Sequence, residues 1–419
     1  MSLLNVAVIA LLAVAAPLVV RAVPRTAVIP VVVVEILLGL AAGPHGLEWF
    51  TLDAPVNTLA LLGVTFLFFL AGLEVDLRQI RGRLLARSIT AYVVSLGLAV
   101  LAAALLDAAG LIEGPLLVGV AFSATGLGLV IPILRDGGLL HSASGALAVG
   151  MASVAEFAAV IVLAVAFSTG SSPTADAVLL LALVALAVVV TVAGERVSRY
   201  SKLTALVDRL SGGTIQLRVR LSVALVVGFA ALAEAGGLEV VLGAFFAGGI
   251  LNVLDGEAMS KPALRDRLDG IGYGFLVPFF FVVSGARLDL SALSLWPDTL
   301  LLLPVLVVIL LLVRAVPSVL ACPRPWDEEL LGVGLLCATS LPVIVTAAQI
   351  GVTSGRLSPS TAAAMTTAGL VGVCLFPPIA LRLLRGSRSD AVQSRGELGS
   401  RRDVELGEDP VQVGADRSG

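Results

Sequence analysis

The sequence predicts an all-α polytopic membrane protein with about thirteen transmembrane helices. Three observations carry that prediction. The chain of 419 residues is 58% hydrophobic and only 14% charged, where a soluble domain carries about 25% charged residues. Its apolar residues fall into thirteen runs long enough for a bilayer crossing, the shorter ones with some thinning or help from interfacial residues. The charges between the runs alternate in sign preference. With the N-terminus outside, the inward loops and the C-terminal tail hold 24 of the 27 Lys and Arg residues. The outward loops hold Arg287 and Arg356, and Arg314 alone lies inside a run. That is the positive-inside distribution, and a wrong helix count would scramble it.

The runs are 3–20, 27–42, 57–73, 86–108, 115–134, 144–168, 176–193, 217–235, 238–254, 269–285, 299–321, 329–350 and 360–384. The first has no basic segment before it and no clear small-residue cleavage site, so it reads as a mature helix rather than a signal peptide. The second carries Glu35 near its middle, beside Pro30. The fifth and twelfth are interrupted by Gly and Pro. The sixth is centred on Glu156. The eighth and ninth carry Glu234 and Glu239 near their outer ends, and the eleventh contains Arg314. Residues 386–419 are polar, with mixed charge and no apolar periodicity. They are expected to form a disordered cytoplasmic tail, too short and too polar for a nucleotide-binding regulatory domain.

The interrupted runs match each other. Ser123-Ala-Thr-Gly-Leu-Gly128 lies at the midpoint of the fifth, and Cys337-Ala-Thr-Ser-Leu-Pro342 at the midpoint of the twelfth. Gly and Pro loosen the hydrogen-bond ladder there, which a membrane tolerates where the freed backbone lines a polar cavity or is buried in protein. An offset of seven helices means opposite orientation. Two broken helices at matching places in inverted halves are the signature of a secondary transporter. The same inversion pairs the fourth run with the eleventh and the sixth with the thirteenth.

Glu156 is the sole charge in its run. A carboxylate at that depth costs roughly 2.5–3.5 kcal/mol on insertion and is usually kept to bind an ion or carry a proton. Arg314 lies at a depth differing by about 6 Å at 1.5 Å per residue, so the two are expected to pair. A monovalent cation or a proton would then compete with Arg314 for Glu156; the same pair could serve only to hold the bundle together. Ser153 is one turn from Glu156, and Thr125, Thr339 and Ser340 lie at the breaks. Their oxygens suit a hard monovalent cation, though Ser and Thr also serve as interhelical glue.

Weaker candidates are Glu35, a possible pathway residue, and Glu234 and Glu239, which could line an entrance or pack in the scaffold. His45 and His141 lie in loops. Cys322, Cys337 and Cys374 have no disulfide or zinc spacing. No phosphate loop, zinc-protease motif or nucleophile elbow sits on a suitable element, so an enzyme is not expected, nor a cofactor or a nucleic-acid partner.

Four segments together resemble bacterial cation:proton antiporters of the sodium/proton exchanger superfamily, in the branch that includes the potassium-efflux antiporters. They are Glu35-Ile-Leu-Leu-Gly-Leu-Ala-Ala-Gly-Pro44, Phe66-Leu-Phe-Phe-Leu-Ala-Gly-Leu-Glu74 with Asp76, Ser123-Ala-Thr-Gly126, and Pro278-Phe-Phe-Phe-Val-Val-Ser-Gly285 with Asp289. The resemblance covers residues 1–385. It implies a panel or dimerisation domain and a core of crossed broken helices (about 86–168 and 299–384) moving like an elevator, usually in a homodimer. It also implies exchange of sodium or potassium for protons across the bacterial plasma membrane. The family's acidic pair on the sixth helix falls on Ala155 and Glu156, so only the second, ion-binding acid is present, as in one-for-one electroneutral exchangers. The family's basic residue falls on Arg314. A sodium-coupled organic anion symporter of the same fold and a non-transporting membrane sensor are the alternative expectations.

Overall fold

The computed structural model describes residues 2–22, 30–74, 82–166, 173–198, 215–254, 262–288, 297–321 and 328–406. Among them every regular element is helical. In chain order these are α1 (Ser2–Ala22), α2 (Val31–Ala42), α3 (Ala54–Glu74), α4 (Arg83–Ala108), α5 (Pro115–Ser123), α6 (Leu127–Asp136), α7 (Ala143–Ala166) and α8 (Pro173–Ser198). They continue with α9 (Leu217–Ala235), α10 (Val240–Leu254), α11 (Pro262–Ile271), α12 (Val277–Ala286), α13 (Pro297–Ala321), α14 (Glu328–Cys337), α15 (Leu341–Thr353) and α16 (Pro359–Leu406).

Each of the thirteen predicted spans is found as helix over most of its described residues. The fifth is α5 and α6 in line, the tenth is α11 and α12, and the twelfth is α14 and α15. In the tenth the join is a π turn, Gly272–Leu276. Pro278 follows it, has no N–H for the ladder, and clashes with the carbonyl one turn back; a widened turn relieves both. Among the described residues eight stretches are long and apolar enough to cross a bilayer by themselves, and shorter apolar stretches lie in α2, α8, α10 and α13. With α9, which begins with two arginines in its first turn, they make thirteen.

The two interruptions differ from kinks, because helical backbone stops and restarts. Ala124 is extended (φ −74°, ψ 165°) and Gly126 has ψ 95°, after which Leu127 opens α6. At the second break Ser340 (φ −127°, ψ 23°) precedes Leu341, and Pro342 occupies the first turn of α15, where its missing N–H has no partner to lose.

Packing divides the helices into two sets. α3 lies along α10, α2 along α12, and α1 and α9 join these. At the α3–α10 seam, a side chain on Gly72 would meet the carbonyl of Phe245 at 2.2 Å, and one on Gly248 would meet that of Phe69 at 2.1 Å. The two backbones touch because both positions lack Cβ. The second set gathers α4, α5, α7, α13, α14, α15 and α16, with α13 against α4. α6 touches α3 and α7, and α8 leans on α10 and α7. Exposed apolar side chains line α1 (Leu3, Leu11, Leu18), α4 (Val93, Leu101, Leu105) and α8 (Leu181, Val188). Such faces suit lipid, which offers no hydrogen bonds but accepts apolar surface.

Helix α16 continues to Leu406, past residue 385, where the expected tail begins. No proline interrupts the chain between Pro378 and Pro410, so the polar segment meets no obligatory helix stop. Residues 407–419 lie outside the described residues, as do Asp76, Asp289, Cys322 and the inward-loop residues Arg25, Arg78, Arg81, Arg199, Lys202, Arg209, Lys261 and Arg324.

Candidate functional site

The two breaks meet. The N–H of Gly126 donates to the carbonyl of Thr339 at 2.7 Å. A Cβ on Gly126 would stand 3.3 Å from both that carbonyl oxygen and Cδ of Pro342. Four half-helix ends therefore converge: the C-termini of α5 and α14, and the N-termini of α6 and α15. Each C-terminus carries roughly half a negative elementary charge and each N-terminus roughly half a positive one.

Arg314 serves the negative ends. From α13 its guanidinium donates through Nε to the carbonyl of Cys337, the last residue of α14, at 3.1 Å. Through Nη1 it donates to the carbonyl of Ser123, the last residue of α5, at 2.9 Å. Nη1 also reaches Ser95 Oγ on α4 at 3.1 Å, and Nη2 donates to Thr125 Oγ1. Both hydroxyls pass the bonding on: Thr125 donates to the carbonyl of Cys337 at 2.7 Å and Ser95 to that of Val313 at 2.7 Å. Arg314 is buried, and all its partners are neutral.

Glu156 serves a positive end. Its Oε2 accepts the N–H of Leu127, the first residue of α6, at 2.8 Å. It too is buried. The expected ion pair is not formed: among the described residues no salt bridge joins Glu156 to Arg314. The physical reason is local. Each charged group finds the complementary end of a broken helix at hydrogen-bond distance, so neither needs the other.

The hydroxyls expected near the ion divide in two. Thr125 is committed to Arg314 and Cys337, and Thr339 Oγ1 donates to the carbonyl of Leu336 at 2.6 Å. Ser153 and Ser340 keep buried hydroxyl oxygens that have no hydrogen-bond partner among the described residues. Such orphans are uncommon in native proteins and call for an explanation.

A second carboxylate, absent from the sequence-based candidates, approaches the same helix start. Glu74 ends α3, and its Oε2 lies 3.8 Å from where a side chain on Gly128 would begin, with the Tyr273 hydroxyl at 3.2 Å. Glu74 and Glu156 lie within electrostatic reach of each other. Glu74 Oε1 accepts from Arg265 Nη2 at 2.8 Å, and Arg265 Nε stands 3.6 Å from Asp269 Oδ2, one turn along α11. In the sequence, an acid at the margin of a span reads as an ordinary boundary charge. The available signal was the pairing of Glu74 with two further charges at the start of the tenth span, at one membrane edge.

Set against known proteins, residues 7–384 match the profile described as "Sodium/hydrogen exchanger, transmembrane". The chain belongs to that family. It is a family of transporters, not of enzymes. Among relatives, YjbQ of Bacillus subtilis (strain 168), provisionally named a Na(+)/H(+) antiporter, is 32% identical over 85% of this chain and 59% of its own length. The chain thus spans about three fifths of that relative. The Na(+)/H(+)-K(+) antiporter GerN of Bacillus cereus is 24% identical over 87% of this chain and 92% of its own. The glutathione-regulated potassium-efflux system protein KefC of Salmonella schwarzengrund (strain CVM19633) is 28% identical over 86% and 57%. Among solved structures, the sodium proton antiporter MjNhaP1 of Methanocaldococcus jannaschii at pH 8 superimposes with a TM-score of 0.58 at 16% identity, covering 91% of this chain and 99% of that one. The exchanger fold is therefore shared well beyond the reach of sequence identity.

Within this exchanger fold the remaining candidates lie on other elements. Glu35 is buried on α2, whose main packing partner is α12. Its carboxylate has no hydrogen bond to another described residue. Glu234 is exposed at the end of α9; Glu239, just before α10, is partly buried. His45 and His141 are exposed in turns.

Proposed function

We propose that the chain exchanges a monovalent cation, sodium or potassium, for protons across a bacterial plasma membrane, with Glu156 taking proton and cation in turn. One observation carries this reading: among the described residues a buried carboxylate bonds only to a helix N-terminus, and two buried hydroxyls, Ser153 one turn away on α7 and Ser340 at the second break, have no partner. Cation and proton then compete for one group. The oxygens of Ser153 and Ser340 complete the cation's shell, and Glu74 supplies a second acid on the approach to α6. Ala155 in place of a neighbouring acid favours one-for-one, electroneutral exchange.

Arg314 is a counter-charge in this scheme, but to helix ends rather than to Glu156. It stays charged at any working pH, so the crossing keeps its geometry while Glu156 changes state. The set around the crossing would move against the α2–α3–α10–α12 panel, in a homodimer with the N-terminus outside and the C-terminus in the cytoplasm. The names of the relatives support sodium and potassium as candidates.

Proteoliposomes loaded with a pH-sensitive dye and pulsed with sodium, potassium or lithium test the reading. Proton movement with at least one cation is expected, and its abolition in Glu156→Gln. Absence of movement with every cation would sink exchange, and full-rate exchange by the variant would remove Glu156 from the site.

A further inference from the structure

We propose that Arg265 is a tethered competitor for the transported cation: it occupies Glu74 until an arriving ion displaces it onto Asp269. The proposal rests on the exchange reading above and adds what sets the apparent affinity.

The geometry has three parts. Glu74 uses its two oxygens differently. Oε1 is held by Arg265 at 2.8 Å, while Oε2 has no partner although the side chain is only 6% exposed. That free oxygen lies at the first turn of α6, next to Gly128 and the Tyr273 hydroxyl, one residue on from Leu127, whose N–H Glu156 accepts. Arg265, by contrast, is 29% exposed on a flexible stem. It already stands 3.6 Å from Asp269, whose Oδ1 is itself buried and unpaired. The other groups facing this cluster are Arg135, from the end of α6, and Asp266.

A guanidinium is always charged and cannot diffuse away, so its effective concentration at Glu74 is that of a linked ligand. An ion that binds Glu74 through both oxygens must displace it. Asp269 makes displacement easy, because the released charge meets a second carboxylate within a side-chain swing. The pair Glu74 and Asp269 thus shares one built-in cation and has room for one more.

The test uses the full chain purified in detergent, in alkaline buffer where protons compete least. The thermal unfolding midpoint is followed against sodium chloride, with potassium chloride in parallel and choline chloride as the ionic-strength control. This readout needs no turnover. Arg265→Gln is expected to lower the half-saturating cation concentration about fivefold, the scale of a partly exposed ion pair. The KM for exchange in proteoliposomes should fall with it while the maximal rate stays within about twofold. Arg265→Lys, which keeps a tethered charge, should stay near the wild type. The deciding arm is Glu74→Gln: in that background Arg265→Gln should shift saturation by less than about twofold, because non-additivity marks direct coupling. An unchanged or weakened affinity in Arg265→Gln overturns the proposal. So does a full shift that persists without Glu74, which would mean a general field rather than competition. Wild-type chain unresponsive to every cation would overturn both this proposal and the exchange reading, whereas a normal wild type with additive variants overturns this one alone.

Discussion

The two broken helices are near copies in sequence, yet their breaks are used differently. Ala124-Thr125-Gly126 and Ala338-Thr339-Ser340 both release a C-terminal carbonyl, and Arg314 takes both, from Ser123 and from Cys337. Their restarting ends diverge. The first N–H of α6 is held by Glu156, while α15 is preceded by Ser340, whose hydroxyl has no partner among the described residues and offers no side-chain cap. The shared half of the motif is scaffold, and the unshared half is where chemistry has been left open. Repeats supply geometry; departures from the repeat locate function.

The sharpest way to break this comparison is to remove the scaffold charge. Arg314→Gln should destabilise the protein by about 3–5 kcal/mol, as loss of a buried, fully bonded charge does. It should do so even where Glu156 is intact, and thermal unfolding in detergent would report it. A stable Arg314→Gln with altered cation affinity alone would make Arg314 part of the ion site instead. Next in size is Thr125→Val, which keeps the shape but drops the bond to Cys337 and the acceptor for Arg314. A loss of about 1–3 kcal/mol is expected, read by the same unfolding measurement. The smallest stability effect belongs to the open side. Ser340→Ala removes a hydroxyl that bonds nothing, so stability should change by less than about 0.5 kcal/mol. The KM for the transported cation should nonetheless rise several-fold. Unchanged KM would remove Ser340 from the cation's shell.

Much of this arrangement was legible in the sequence, and the parts that were not share a cause. Span positions follow from apolar run length and loop charge, and both breaks follow from Gly126, Gly128 and Pro342 in mid-run. Those signals report position along the membrane normal. They are silent on rotation about each helix axis, which decides partners. Run positions assigned Glu156 and Arg314 similar depth, and depth alone made them look like each other's nearest charge. The partial charges on backbone ends are invisible in a list of side chains, and they prevailed. Glu74 escaped notice for the converse reason: a charge at a span's margin looks solvated until folding shows it 6% exposed and facing Gly128.

The backbone bond from Gly126 to Thr339, with Arg314 tied to both breaks, makes the crossing one mechanical body. If that body travels across the membrane, Arg314 travels with Glu156. Glu156 and Arg314 then sum to zero charge when the carboxylate is bare, and to one positive charge when it holds a proton or a monovalent cation. A unit charge crossing 100 mV involves about 2.3 kcal/mol of electrical work. Under the proposed one-for-one exchange that work is added on one loaded stroke and returned on the other, so the membrane voltage would alter the speed of either stroke but not the ion ratio at which exchange stops.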